Sequence, residues 1–170
     1  VADFKAALAY VLENEGNFVA NPSDRGGPTN YGISTPTLTK YLGRAATVDD
    51  IKNISMATVE SIYRQSYWNA IKGDAIKEQS TATYLFDMAV LMGPPSAARL
   101  AQAALGLKAD GIIGPLSLAK FNATAPSVFA LVFSKACIRA LVAIAVANPS
   151  QLVFLSNWVR RADEMTDIPV

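Results

Sequence analysis

Apolar side chains recur along this chain mostly at helical spacing. Phe4, Leu8, Val11 and Leu12 form an i, i+4, i+7, i+8 stripe, the one-sided pattern of an amphipathic helix, and Gly16 supplies a stop just after Glu15. The following stretch, NPSDRGGPTNYG, is too rich in turn formers to continue the helix. Within it Thr29, Tyr31 and Ile33 alternate with smaller or polar residues, which predicts a short β-hairpin near residues 24–34. Thr35-Pro36 reads as a cap followed by proline at the first helical position. Further short helices are expected from Thr47, and from Ser55 through Ile62 to Trp68.

Between Thr81 and Met92 the sequence TATYLFDMAVLM is apolar all round the helical wheel, the pattern of a helix buried inside the protein. Gly93-Pro94-Pro95 breaks it and divides the chain into an N-terminal half, 1–92, and a smaller helical half, 93–170, packed as one compact unit. A helix to Gly106, a short one opened by Gly114-Pro115 and a long apolar one over Val128–Ala147 follow. Asn148-Pro149 introduces the last, with Leu152, Leu155 and Val159 expected on its inner face. The fold class is therefore mainly α.

Composition narrows the chemistry. With no histidine and a single cysteine (Cys137), the 170 residues offer no histidine triad, no internal disulfide and no zinc site of the usual Cys/His kind. Neither a metal nor a cofactor is expected. Net charge of +1 gives no basic face of the kind nucleic acid requires. The charge is uneven, however: from Gly111 to Ala162 there is no acid, only Lys120, Lys135, Arg139, Arg160 and Arg161. Val128–Ala147 has about the length of a bilayer span, but Lys135 and Arg139 share one of its faces, so a buried core helix with one wet edge is expected rather than membrane insertion.

That leaves carboxylates, hydroxyls, lysines or the backbone to do chemistry. Glu15 falls on the apolar stripe of the first helix, while Glu13 lies opposite. A carboxylate drawn partly out of water at a helix C-terminus is favoured as the protonated acid, which general-acid cleavage of a glycosidic bond needs. The plainer alternative is a glutamate at a fraying helix end. Nine residues on, Asp24 lies on the glycine-rich loop, where a wetter carboxylate stays ionised; an acid facing an ionised partner is the glycosidase pairing, and an ordinary turn aspartate is the alternative. Asp87 is the only charge between Gln79 and Ala98 and needs a partner. It either shapes the cleft beside Glu15 or caps a neighbouring helix. Tyr67 and Trp68 are candidates for stacking on a sugar face, Trp68 reads equally well as a core anchor, and Tyr63 belongs to the core.

ENEGNFVANPSDRGGPTNYGIS resembles the N-terminal signature of glycoside hydrolase family 108, the bacterial and phage N-acetylmuramidases often described as secretion activators. Glu15-Gly16, Asp24, Gly26-Gly27, Thr29 and Tyr31-Gly32-Ile33 carry the match. It continues through Ile62-Tyr63, Tyr67-Trp68, Leu85-Phe86-Asp87 and Gly93-Pro94. Asp110-Gly111-Ile112-Ile113-Gly114-Pro115 is similar to a turn in the region this family assigns to peptidoglycan binding, and FLSNWVRR to its closing segment. Asn17 stands where relatives carry a second glycine, and Leu91-Met92 where they carry polar residues.

The resemblance implies a lysozyme-like fold with Glu15 as the catalytic glutamate and peptidoglycan glycan strands as the partner. The Glu–Asp–Thr order is also similar to phage-type lysozymes, in which the threonine holds the attacking water. By that pattern either Thr29 or Asn30 takes the role, with Tyr31 beside them. The expected reaction is hydrolysis of the MurNAc-β-1,4-GlcNAc bond, inverting if the Glu15 and Asp24 carboxyls stand about 6.5–9.5 Å apart and retaining at about 5–5.5 Å. Two rivals stand beside it, a lytic transglycosylase using Glu15 alone and a non-catalytic wall-binding or secretion-assisting protein. The opening VADFKAALAY has no signal-peptide pattern, so arrival at the cell wall, the periplasm or the outside implies a holin or an export route that reads no such signal.

Overall fold

The computed structural model describes residues 1–15, 18 and 28–166. Asp24, Gly16, Asn17 and the glycine pair lie outside the described residues. Helix α1 (Phe4–Asn14) is capped by Asp3, whose side chain accepts from the Ala6 N–H, and buries Phe4, Ala7, Leu8 and Val11. A two-stranded antiparallel sheet follows, β1 (Thr29–Asn30) and β2 (Ile33–Ser34), with Asn30 paired to Ile33. Its two-residue turn is Tyr31-Gly32, both at positive φ (49° and 70°), the geometry whose twist matches a hairpin. Tyr31, expected within a strand, is therefore a turn residue.

The next elements begin where local capping chemistry places them. They are α2 (Thr35–Leu42), α3 (Val48–Lys52) with a capping box between Thr47 and Asp50, and α4 (Met56–Tyr63), capped by Ser55. Helix α4 runs on into one π-helical turn, Arg64–Trp68, which rotates Trp68 into the interior. Helix α5 (Gln79–Met92) buries every residue from Thr81 to Ala89. Around it stand α1, α6 (Pro94–Ala104) and α8 (Pro126–Ala147), with α7 (Pro115–Ala123) before α8 and α9 (Leu152–Asp163) returning along it. The chain is a mainly α, lysozyme-like protein with a small hairpin.

One core cluster runs from Ala2 to Met165. Phe4, Trp68 and Phe86 meet edge to face, with Tyr63 edge-on to Phe86, and Phe121, Phe129 and Phe133 form a second aromatic group. Asn122 joins the regions by accepting from the Lys77 N–H (2.8 Å) and donating to the Ala75 carbonyl (3.0 Å). The Asp110–Pro115 turn is tied to α6 by Gln102. That side chain donates to Asp110 Oδ1 (2.9 Å) and the Ile112 carbonyl (3.0 Å) and accepts from the Gly111 N–H (2.9 Å). Cys137 is a buried core residue whose thiol is pushed up by burial and by the Asp87 charge.

Two expectations need correction. The wet edge of the long helix is itself apolar: Val128, Leu131, Val142, Ile144 and Val146 of α8 are exposed. In α9 Leu152 is exposed and the buried residues are Arg161 and Ala162.

A β-carbon added at Gly73 would overlap the Trp68 ring. Gly73→Ala should therefore cost about 1–3 kcal/mol in urea denaturation. The double variant with Trp68→Phe should show a less than additive loss, because the smaller ring relieves the same overlap.

Candidate functional site

Glu15 is the cap residue of α1 rather than part of its last turn. Its backbone is extended (φ −93°, ψ 140°), and its N–H donates to the Leu12 carbonyl. The extended turn carries the side chain off the helical stripe toward the hairpin and the end of α9. Oε1 accepts from Arg161 Nη1 at 2.9 Å, and the Glu15 side chain is 18% exposed. Arg161 is bound on its other side to Asp87: Nε donates to both carboxylate oxygens at 2.9 Å, and Nη2 donates to Oδ1 at 2.6 Å. The sequence reading surrounded Glu15 with apolar groups, and the structure places a guanidinium there.

Asp87 is fully buried and Arg161 nearly so. Burial pushes the Asp87 carboxyl upward against the hydrogen bond and charge of Arg161. For Arg161 burial acts against the cation, but Asp87 and Glu15 outweigh it and hold the guanidinium protonated. One cation thus serves two carboxyl groups, Asp87 on the buried side and Glu15 on the outer side.

The hairpin closes over the other oxygen. A β-carbon at Gly32 would lie 2.5 Å from Glu15 Oε2 and 2.8 Å from Tyr63 Oη, so only glycine fits this approach, and its φ of +70° favours glycine independently. Tyr63 Oη donates to the Tyr31 carbonyl at 2.8 Å, which pins the turn to α4. Burial first, and then the Glu15 charge, push the hydroxyls of Tyr63 and Tyr67 upward, so both remain neutral donors.

The remaining candidates separate. Half-buried Tyr67 lies against Tyr63, with ring centroids 5.6 Å apart, and stays near Glu15. Trp68 does not face a ligand: it is 0% exposed, packs on Phe4 and Phe86, and its Nε1 donates to Asp74 Oδ1. Asn30 is buried and its amide donates to the Ile51 and Lys52 carbonyls, so it locks the hairpin to α3 instead of holding water. Thr29 is half-buried on β1. Asp87 is sealed behind Arg161 and reaches no substrate. Arg161 is the residue that sequence reasoning missed. The available signal was that Asp87 needed a cation and the acid-free stretch from Gly111 to Ala162 holds only five.

A lysozyme-like helical fold that presents one half-shielded glutamate beside a hairpin defines a glycoside hydrolase scaffold. The chain belongs to glycosyl hydrolase family 108, whose model matches residues 8–93. It is also similar to the solved structure of SagA from Brucella abortus, with 27% identity, 97% of this chain and 96% of that chain covered, and a TM-score of 0.75. No curated protein matches the sequence.

Replacing Arg161 with Met strands the buried Asp87 charge and should cost about 3–5 kcal/mol, measured by chemical denaturation. The pair Arg161→Met with Asp87→Leu should recover much of that loss. A second prediction concerns alkaline stability. Burial, and then the Asp87 charge, lift the Tyr10 hydroxyl from 10.0 to about 12, and this buried hydroxyl has no hydrogen-bond partner among the described residues. A raised folded value stabilises the protein fully below pH 10, and the contribution is lost as pH rises through 12. Tm should therefore fall over that window, and Tyr10→Phe should flatten the fall without lowering Tm at neutral pH.

Proposed function

We propose that this glycosyl hydrolase is an N-acetylmuramidase that cleaves the MurNAc-β-1,4-GlcNAc bond of peptidoglycan by general acid/base catalysis with Glu15 as the acid. The observation that carries this reading is the division of labour between the two Glu15 oxygens. Oε1 is occupied by Arg161 and Oε2 is turned toward the hairpin, so the transferable proton belongs on Oε2. A guanidinium cannot donate in its place, because it does not deprotonate in proteins. It does stabilise the carboxylate left behind as the proton reaches the leaving oxygen, an electrostatic term already in position before reaction.

Asp24, five residues before Thr29 in the sequence, is proposed to orient or deprotonate water on the opposite sugar face. Thr29 takes the water-holding role rather than Asn30, whose amide is already engaged. Tyr67, half-buried beside Tyr63, and Tyr31 on the hairpin turn supply sugar contacts. The glycan strand is the partner, and the cell wall or periplasm the place of action.

Glu15→Gln keeps an acceptor for Arg161 and removes the acid. It should leave Tm unchanged and slow the clearing of purified cell walls by about a hundredfold or more; undiminished clearing would refute the assignment. Mass spectrometry of the products tests the reaction type. Reducing muramic ends are expected, whereas anhydromuramic ends would assign a transglycosylase that uses Glu15 alone.

A further inference from the structure

Between Arg139 and Arg160 the chain carries no charged residue. This run forms the distal end of the α8–α9 hairpin, in which the two helices pack antiparallel. Charge-free sequence is normally core, but here much of it is outside. Val142, Ile144 and Val146 at the end of α8, and Leu152, Val153 and Phe154 at the start of α9, are exposed, Val146 to 71% and Val153 to 75%. Phe154 and half-buried Trp158 stack with centroids 5.8 Å apart. These side chains flank the connection on both helices.

Behind the tip, Lys135 and Arg139 stand exposed on α8 over a groove of about 660 Å³ against α6. Among the described residues neither forms an ion pair. They lie about 10 and 16 Å along the helix axis from Val146 at 1.5 Å per residue, on the headgroup side of a tip whose apolar side chains would enter the boundary by about 5–10 Å. No acid occurs from Gly111 to Ala162 to oppose anionic lipid. The other half of α8 is held in the protein by Phe129, Phe133 and Cys137, so the helix is not free to cross a bilayer although its length and hydropathy would allow it.

We infer that the α8–α9 tip docks into the surface of an anionic lipid bilayer, with Lys135 and Arg139 on the headgroups and Val146, Val153 and Phe154 in the acyl boundary. A second copy of the chain is the less suitable occupant, because a stable dimer needs a complementary patch of about 800 Å² per partner and no charge on this tip could set its register. The inference is independent of the catalytic assignment.

The test is flotation of the full chain with vesicles of phosphatidylcholine alone or with about one third phosphatidylglycerol, read together with Trp158 fluorescence. Trp68 is buried and serves as a constant background. Binding and a blue shift are expected with the anionic vesicles and are weakened by salt. Val153→Glu, at an exposed position that the fold does not need, should abolish binding while leaving wall clearing and Tm unchanged. Removing both cations (Lys135→Ala with Arg139→Ala) should weaken binding roughly 30-fold, at about 1 kcal/mol per charge. Failure of the wild type to float with anionic vesicles would overturn the inference. So would equal flotation of Val153→Glu, or a dimer in sedimentation that this substitution dissolves.

Discussion

The structure depends on one guanidinium. Arg161 lies 74 residues from Asp87 and 146 from Glu15, and it hydrogen-bonds both. On the inner side it neutralises a carboxylate that the most buried helix could not otherwise hold, and on the outer side it fixes the direction of the glutamate that faces solvent. A buried ion pair of this kind adds little net stability compared with well-packed apolar residues of the same volume. What it supplies is position: the last helix can dock in one register only, because a shift of one residue would remove the cation from both carboxylates.

The hairpin depends on the same point through shape rather than charge. Gly32 approaches Glu15 closely enough to exclude any side chain, Tyr63 clasps the Tyr31 carbonyl, and Asn30 fastens the strand to α3. The left-handed Tyr31 is held in place by these contacts. A glutamate bound on one oxygen and confined on the other has little rotamer freedom left, which is the pre-organisation that the acid role proposed for it needs.

What was legible in the sequence was local. Helix starts at Thr47, Ser55, Pro94 and Pro115 follow from side chains within a few residues of each cap, and the buried character of α5 follows from its unbroken apolar wheel. The family signature brought Glu15 forward. What was not legible was distant or depended on close approach. Apolar periodicity cannot find a buried charge, so α9 was expected to bury Leu152 when it buries Arg161. Trp68 read equally well as a sugar platform or a core anchor until Gly73 brought backbone against its ring. The π-turn that swings Trp68 inward left no mark in composition.

The placement of Arg161 near the end of the described chain also bears on biosynthesis. A polypeptide emerging from the ribosome has made Glu15, Tyr63 and Asp87 long before the residue that joins them. Until the last helix is released and folds back, the N-terminal half lacks the counter-ion for its central carboxylate and the strut for its outer one.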